Sequence, residues 1–132
     1  MAYYLDTNIC IYYLKGLYPT LPEKLFTYQV SEIKIASIVK AELLFGAARS
    51  KKRKANKEQV EQFLLPFEVV PFDDQSAQIY AHIRSVLAAK GMPIGPNDLV
   101  LASTVLARKG VLITNNENEF NRVPGLQIEN WI

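Results

Sequence analysis

The carboxylate of Glu42 lies in a segment that is too apolar for an ordinary surface acid. The segment reads IVKAELLFGAA, and the residues one helical turn away from Glu42 are apolar or glycine: Ile38, Val39, Phe45 and Gly46. Partial burial of a carboxylate is costly unless the charge is paired. A bound metal ion would offset that cost, and the alternative is an ion pair with a basic residue distant in the sequence.

Two aspartates, Asp6 and Asp98, each stand where a helix is predicted to begin. Each has an ordinary structural interpretation, because Asp6 with Thr7 is typical of a helix N-cap and an acid early in a helix complements its dipole. The combination with Glu42 indicates more, since all three acids follow or face predicted strand ends. Clustered carboxylates repel one another and need a cation, and oxygen ligands favour Mg²⁺, with Mn²⁺ as an alternative.

The composition excludes several other kinds of chemistry. The 132 residues contain one cysteine and one histidine, so neither a zinc cluster nor a serine–histidine pair of the usual kind is expected. No Walker loop and no glycine-rich dinucleotide motif is present. A cation held by acids at an open cleft suits phosphoryl transfer to an activated water molecule.

Apolar periodicity predicts an α/β protein in which short strands alternate with helices around a mostly parallel sheet. Strands are predicted over residues 2–5, 33–36, 67–71, 111–114 and 126–128. Helices are predicted over residues 9–14, 23–30, 38–48, 57–64, 74–90 and 96–109, with Ser37 as the N-cap of the third. Because sites in such sheets lie beyond the carboxyl ends of the strands, polar residues there are expected at one edge: Asp6, Ser37, Asp73 and Thr114 to Asn116.

The net charge of +2 conceals a dense basic cluster that is predicted to form a loop. Its members are Arg49, Lys51, Lys52, Arg53, Lys54 and Lys57. Such a cluster attracts phosphate backbones, although a merely solvated loop is an equally good interpretation.

The remaining conspicuous residues favour structural roles. Cys10 is predicted to be a small core residue, His82 a surface residue and Trp131 a packing residue, while several tyrosines suit the core or a dimer contact rather than base stacking. No apolar run reaches the ~20 residues that a membrane span needs, and the first residues lack a signal-peptide pattern. A cytoplasmic protein is expected.

Four motifs together resemble the PIN-domain proteins, and in particular the VapC toxins of bacterial type II toxin–antitoxin systems. In chain order they are LDTNICIYYLKG, IVKAELLFGA, PIGPNDLVLAS and TNNENEFNRVPGLQIENW. The resemblance spans nearly the whole chain and implies a single PIN domain over residues 1–132, a three-layer sandwich with a central sheet flanked by helices. It also implies an endoribonuclease that cuts structured RNA, often tRNA, and so arrests translation.

The resemblance assigns site residues by position. Asp6, Glu42 and Asp98 match the acids that hold magnesium in the family. The chain departs from the family at Asn116, where many members have aspartate, and Glu119 is the alternative fourth catalytic group, so one firmly bound ion is a safer expectation than two. Residues expected to orient the acids or position the substrate are Thr7, Asn8, Ser37, Asn97 and Thr114.

The resemblance also implies partners. These are an RNA substrate and a cognate VapB-like antitoxin that covers the cleft, with a toxin homodimer and a higher toxin–antitoxin assembly. The basic residues Arg49 to Lys54 then contact either the RNA backbone or the antitoxin. A different class of function stays open, namely a catalytically weak binding module with vestigial acids, whereas a DNA nuclease of the flap type would need a longer chain.

Overall fold

A computed structural model describes all residues 1–132 and contains one five-stranded sheet. The strand order is β3-β2-β1-β4-β5, and every neighbouring pair is parallel, so the predicted mostly parallel sheet is entirely parallel. The strands are β1 (Tyr3–Leu5), β2 (Ile33–Ala36), β3 (Glu68–Val70), β4 (Val111–Ile113) and β5 (Gln127–Glu129). All five lie within one residue or two of the predicted bounds.

Seven helices connect and cover the strands. They are α1 (Thr7–Lys15), α2 (Thr20–Leu25), α3 (Ser37–Arg49), α4 (Arg53–Leu64), α5 (Asp74–Ala89), α6 (Pro96–Ala107) and α7 (Glu117–Phe120). A 3₁₀ turn over Val30–Glu32 precedes β2. None of the seven helices combines the length and the apolar character that a membrane crossing requires. Parallel strands are usually buried on both faces by such helices, and β4 is buried at all three of its residues.

The strand order places a crevice at the centre of the sheet. From β1 the chain adds β2 and then β3 on one side, and it then returns to add β4 and β5 on the other side of β1. The order therefore reverses between β1 and β4, and ligands in open α/β sheets bind beyond the carboxyl ends of the strands at such a point. Asp6 follows β1 and Thr114 follows β4, so these two residues stand at the reversal point.

One continuous apolar core supports the sheet. It joins residues from every strand except β5 to the inner faces of the longer helices. Cys10 is fully buried within it and His82 is exposed, as predicted. Trp131 is also buried, and its ring stacks on Tyr28 with centroids 5.1 Å apart, which confirms its predicted packing role.

Three predictions about where helices begin are wrong. The second helix runs over Thr20–Leu25 rather than 23–30, because Pro22 lies in its first turn, where proline needs no N–H partner. Arg49 ends α3 and helix α4 begins at Arg53, so four of the six basic residues that were predicted to form a loop are helical. Ser37 is the first helical residue of α3 rather than its N-cap, which is Ala36.

Replacing Gly110 with alanine is expected to destabilise the fold by about 1–3 kcal/mol, the usual cost of overpacking a core. An added Cβ would lie 2.5 Å from Cε1 of Tyr4 and 3.1 Å from the carbonyl oxygen of Ala2. The matched control is Gly46→Ala within α3, where an added Cβ meets nothing within 4 Å and should stabilise the helix by about 0.5–1 kcal/mol. Chemical denaturation of both variants measures the difference, and equal effects would contradict this packing.

Candidate active site

Asp6 is the most deeply buried of the candidate acids. It is the N-cap of α1, and its Oδ1 accepts a hydrogen bond of 2.7 Å from the backbone N–H of Thr7. Its Oδ2 accepts a second hydrogen bond of 2.7 Å from the hydroxyl of Thr114. The side chain thus caps a helix, as predicted, and at the same time bridges the ends of the two central strands.

Glu42 is tied to the same cleft by two donors. The hydroxyl of Thr7 donates to its Oε1 at 2.6 Å, and the side-chain amide of Asn97 donates to its Oε2 at 3.2 Å. The side chain is partly buried, as predicted, and it forms no ion pair. The alternative interpretation of Glu42, an ion pair with a distant basic residue, is therefore wrong.

Asp98 lies in the first turn of α6, beside Glu119 of α7. Both carboxylates approach Gly95, because a Cβ added there would lie 3.5 Å from Oε1 of Glu119 and 3.8 Å from Oδ2 of Asp98. Burial above all, together with the charges of Asp6 and Glu119 and a hydrogen bond to Glu119, raises the pKa of Asp98 to about 7. Asp98 is therefore the acid of this cleft that most resists ionisation.

The pKa of Glu119 is shifted in the opposite direction to that of Asp98, so Glu119 ionises readily. The backbone N–H of Gly95 donates to its Oε1 at 2.7 Å, and the side-chain amide of Asn116 donates to its Oε2 at 3.1 Å. The hydrogen bond from Gly95 is the main reason that the pKa of Glu119 is lowered, with a smaller contribution from Asn116. Asn116 and Glu119 thus act together, with the amide supporting the carboxylate, and Glu119 supplies the fourth negative charge.

Burial also raises the pKa of Asp6, and the charges of Glu42 and Glu119 act in the same direction. Hydrogen bonds from Thr114 and Thr7 oppose this rise. The two ion pairs of the protein, Lys34–Glu68 and Arg108–Asp73, involve none of the four acids. The cleft therefore concentrates negative charge without a compensating ion pair.

The predicted positioning residues divide into two groups. Thr7, Asn97 and Thr114 each donate a hydrogen bond to one of the acids, as described above. Asn8 is exposed and Ser37 is half-buried, and neither side chain hydrogen-bonds to an acid. All of the basic residues Arg49 to Lys57 are exposed at the end of α3, in the following turn and at the start of α4.

Two supports of Glu119 were not predicted from the sequence. One is the N–H of Gly95, and the other is Arg122, which donates to the carbonyl oxygen of Pro93 at 3.0 Å and so ties α7 to the turn before α6. Phe120, next to Glu119, is fully buried and anchors that short helix. The only sequence signal was the pair of prolines that flank Gly95, which indicates a rigid turn.

The acids fit a hard divalent cation by their chemistry. All the available ligands are carboxylate and amide oxygens, which Mg²⁺ and Mn²⁺ prefer, and no cysteine or histidine lines the cleft. Burial is the main reason that the pKa values of Asp6 and Asp98 are raised, and repulsion from the neighbouring acids adds to it, an effect that a bound cation would offset. In the structure no three acidic, histidine or cysteine side chains form a ready-made metal cage, and each acid is instead held by its neighbours as described.

Comparison with known proteins places this geometry in a family. The profile of the PIN domain matches residues 3–126, nearly the whole chain. The ribonuclease VapC2 of Rickettsia felis is 39% identical over 99% of this chain and 98% of its own length. The tRNA(fMet)-specific endonuclease VapC of Salmonella typhimurium is also 39% identical, with the same coverage of both chains.

The fold agrees with these relatives. A chain in the crystal structure of DNA-bound VapBC from Salmonella typhimurium superposes with a TM-score of 0.94 at 39% identity, covering 100% of this chain and 99% of that one. The match therefore includes every element that carries an acid of the cleft. The chain belongs to the PIN-domain family and, within it, to the VapC ribonucleases.

Proposed function

We propose that this protein is the toxin of a type II toxin–antitoxin pair and acts as a magnesium-dependent endoribonuclease. The observation that carries the proposal is that carboxylates from four chain segments lie close enough around the reversal point of the sheet to repel one another, with no ion pair to balance them. Asp6, Glu42 and Asp98 would hold Mg²⁺, and Mn²⁺ would serve in its place. When bound, the ion supplies an activated water molecule and stabilises charge on the phosphate.

The residues around the acids fix the geometry on which that chemistry depends. Thr114 and Thr7 hold the two oxygens of Asp6, so this buried carboxylate cannot rotate freely. Thr7 and Asn97 orient Glu42 from opposite oxygens. Groups that orient metal ligands in this way commonly contribute 10–100-fold to metal affinity or activity, roughly.

Glu119 is suited to a different task from the other acids. Its lowered pKa keeps it ionised at neutral pH, and the N–H of Gly95 fixes its direction toward Asp98. We assign it to orient the attacking water molecule by accepting a hydrogen bond from it, with Asn116 holding the carboxylate in place.

We propose that the substrate is RNA, and specifically tRNA, because the Salmonella relative is a tRNA(fMet)-specific endonuclease at 39% identity over nearly the full length. Cleavage of tRNA would arrest translation. The exposed basic cluster at the α3–α4 junction would attract the phosphate backbone, an attraction that weakens as the salt concentration rises.

We further propose a VapB-like antitoxin as the regulatory partner, since the matching Salmonella chain was solved within a VapBC complex bound to DNA. The antitoxin would cover the acidic cleft. A homodimer of the toxin and a larger toxin–antitoxin assembly complete the proposal.

Purified, antitoxin-free protein is expected to cut total cellular RNA, including tRNA, into discrete fragments when Mg²⁺ is present. Chelation by EDTA should stop cleavage, and added Mg²⁺ should restore it. The variant Asp98→Asn should be inactive with Mg²⁺ because it lacks one ligand charge. Gel electrophoresis of the fragments and sequencing of their ends measure both activity and target.

Two results would count against the proposal. Cleavage that persists in EDTA would remove the metal from the mechanism. No cleavage by folded protein that still binds RNA or an antitoxin would instead favour the binding module with vestigial acids.

A further inference from the structure

A groove leads away from the acidic cleft between α1, α3 and α4. Its volume is about 480 Å³, which is within the range of about 300–1,000 Å³ typical of small-ligand sites. Glu42 lines one part of it, and the same side chain accepts the hydrogen bond from Thr7 beside Asp6. The groove and the acidic cleft therefore share a wall, and a substrate held at the acids would extend into the groove.

The groove combines an apolar floor with a polar rim. The floor is formed by side chains of α1, α3 and α4, namely Ile11, Leu14, Leu43, Ala47 and Val60. The rim carries the amides of Asn56 and Gln59, the hydroxyl of Ser50 and the ammonium of Lys15. An apolar surface with amides at its edge matches a nucleobase, which has two apolar faces and a hydrogen-bonding edge.

The polar rim is ordered before any ligand arrives. The side-chain amide of Asn56 donates to the Ser50 hydroxyl at 2.8 Å, and that hydroxyl donates to the carbonyl oxygen of Ala47 at 2.7 Å. The Asn56 carbonyl oxygen has no partner within the protein, nor does the amide of the exposed Gln59. Asn56 can therefore hydrogen-bond to a ligand with little loss of conformational freedom, and the Gln59 amide is available for a second hydrogen bond.

Charge surrounds the groove in the arrangement that a nucleotide chain needs. Lys15 stands on the rim, and the exposed basic turn at Lys51 and Lys52 follows directly after Ser50. Neither these lysines nor Arg53 forms an ion pair. A phosphate on the side of the bound base away from the acidic cleft would thus meet positive charge, which argues for RNA rather than an apolar peptide as the occupant.

We infer that the groove is a nucleoside subsite that holds an unpaired base next to the cleaved phosphodiester bond, with Asn56 and Gln59 reading its edge. The inference rests on the proposed ribonuclease function and adds to it a specificity pocket. Selection of one base beside the cut follows, and the selecting residues lie outside the acidic cleft.

The test is cleavage of single-stranded oligoribonucleotides in which the base on each side of the cut is varied one at a time. Wild-type protein with Mg²⁺ should prefer certain bases at one flanking position. Asn56→Ala and Gln59→Ala should each lower kcat/KM for the preferred base by about five- to tenfold, the equivalent of one hydrogen bond, and leave other bases within about twofold. Gln62→Ala, on the same helix, is the matched control and should leave the preference unchanged.

Asn56→Ala and Gln59→Ala differ in their effect on the folded protein. Asn56→Ala also removes the hydrogen bond to Ser50, whereas Gln59→Ala removes no hydrogen bond of the folded protein, so it tests the subsite without disturbing the turn. Cleavage with an unaltered base preference in Gln59→Ala would overturn the subsite, as would an equal loss for all four bases. Weakened antitoxin binding with unaltered RNA cleavage would assign the groove to the protein partner and overturn it too.

The cleavage assay with wild-type protein distinguishes failure of the proposed function from failure of the subsite. Wild-type protein that cleaves no RNA at all would overturn both the proposed function and this inference. Cleavage by wild type with no selectivity at either flanking base would overturn only the subsite.

Discussion

Replacing Asp6 with asparagine is expected to abolish growth arrest when the protein is expressed without its antitoxin. Asparagine has nearly the same shape, so the contacts with Thr114 and Thr7 can be replaced by amide contacts and the fold should survive. The missing charge, however, removes the most buried candidate ligand of the cation. RNA cleavage should fall by more than about 100-fold, the upper end for losing a group that only orients a ligand.

The matched control for this substitution is Asp74→Asn. Asp74 is an exposed aspartate in the first turn of α5, and no hydrogen bond ties its side chain to the acidic cleft. Cells that express this control should stop growing as they do with wild type. Equal toxicity of Asp6→Asn and wild type would refute the assignment of Asp6 as a ligand.

Asp98→Asn is expected to stabilise the metal-free protein while it removes activity. The pKa of Asp98 is about 7 in the folded protein, against an ordinary value of 3.8. Between these two values the folded state binds more protons than the unfolded state, so the contribution of Asp98 to stability is lost as the pH rises from about 4 to about 7. Above that window, asparagine relieves the repulsion that the ionised carboxylate suffers.

Thermal unfolding in EDTA measures this effect as a difference between the variant and wild type. The two Tm values should be similar near pH 4, and the variant should be more stable by about 5 °C at pH 8. Added Mg²⁺ should then raise the Tm of wild type more than that of the variant. A Tm difference that does not change between pH 4 and pH 8 would contradict the raised pKa of Asp98.

That Asp6, Glu42 and Asp98 lie near one another could be predicted, because the fold class determines where residues that follow the strands are placed. In a parallel sheet, residues that follow different strands meet at one edge, and Asp6 and Thr114 do so at the reversal point. Glu42 was conspicuous because a carboxylate interrupted an apolar helix, and it is indeed partly buried and held by donors from two other segments.

The fourth acid could not be chosen from the sequence, for local reasons. Helix α7 has four residues, which is too short for a periodic pattern, so the positions of Asn116 and Glu119 relative to the cleft were not readable. The donor that fixes Glu119 is the backbone N–H of Gly95, and a backbone donor leaves no trace in residue type. The bounds of α2 were missed because the predicted helix began after Pro22, whereas Pro22 lies within the first turn of the helix.

The hydrogen bond between Thr114 and Asp6 joins residues separated by 108 positions in the chain. Since β1 needs β4 as its neighbour, and Glu119 comes later still, the site cannot assemble on a partly synthesised chain. A ribosome making this protein therefore carries an inert nascent chain until β4 and α7 have emerged. Under the proposed function, cleavage activity therefore begins only when synthesis is nearly finished, as the last elements of the chain fold.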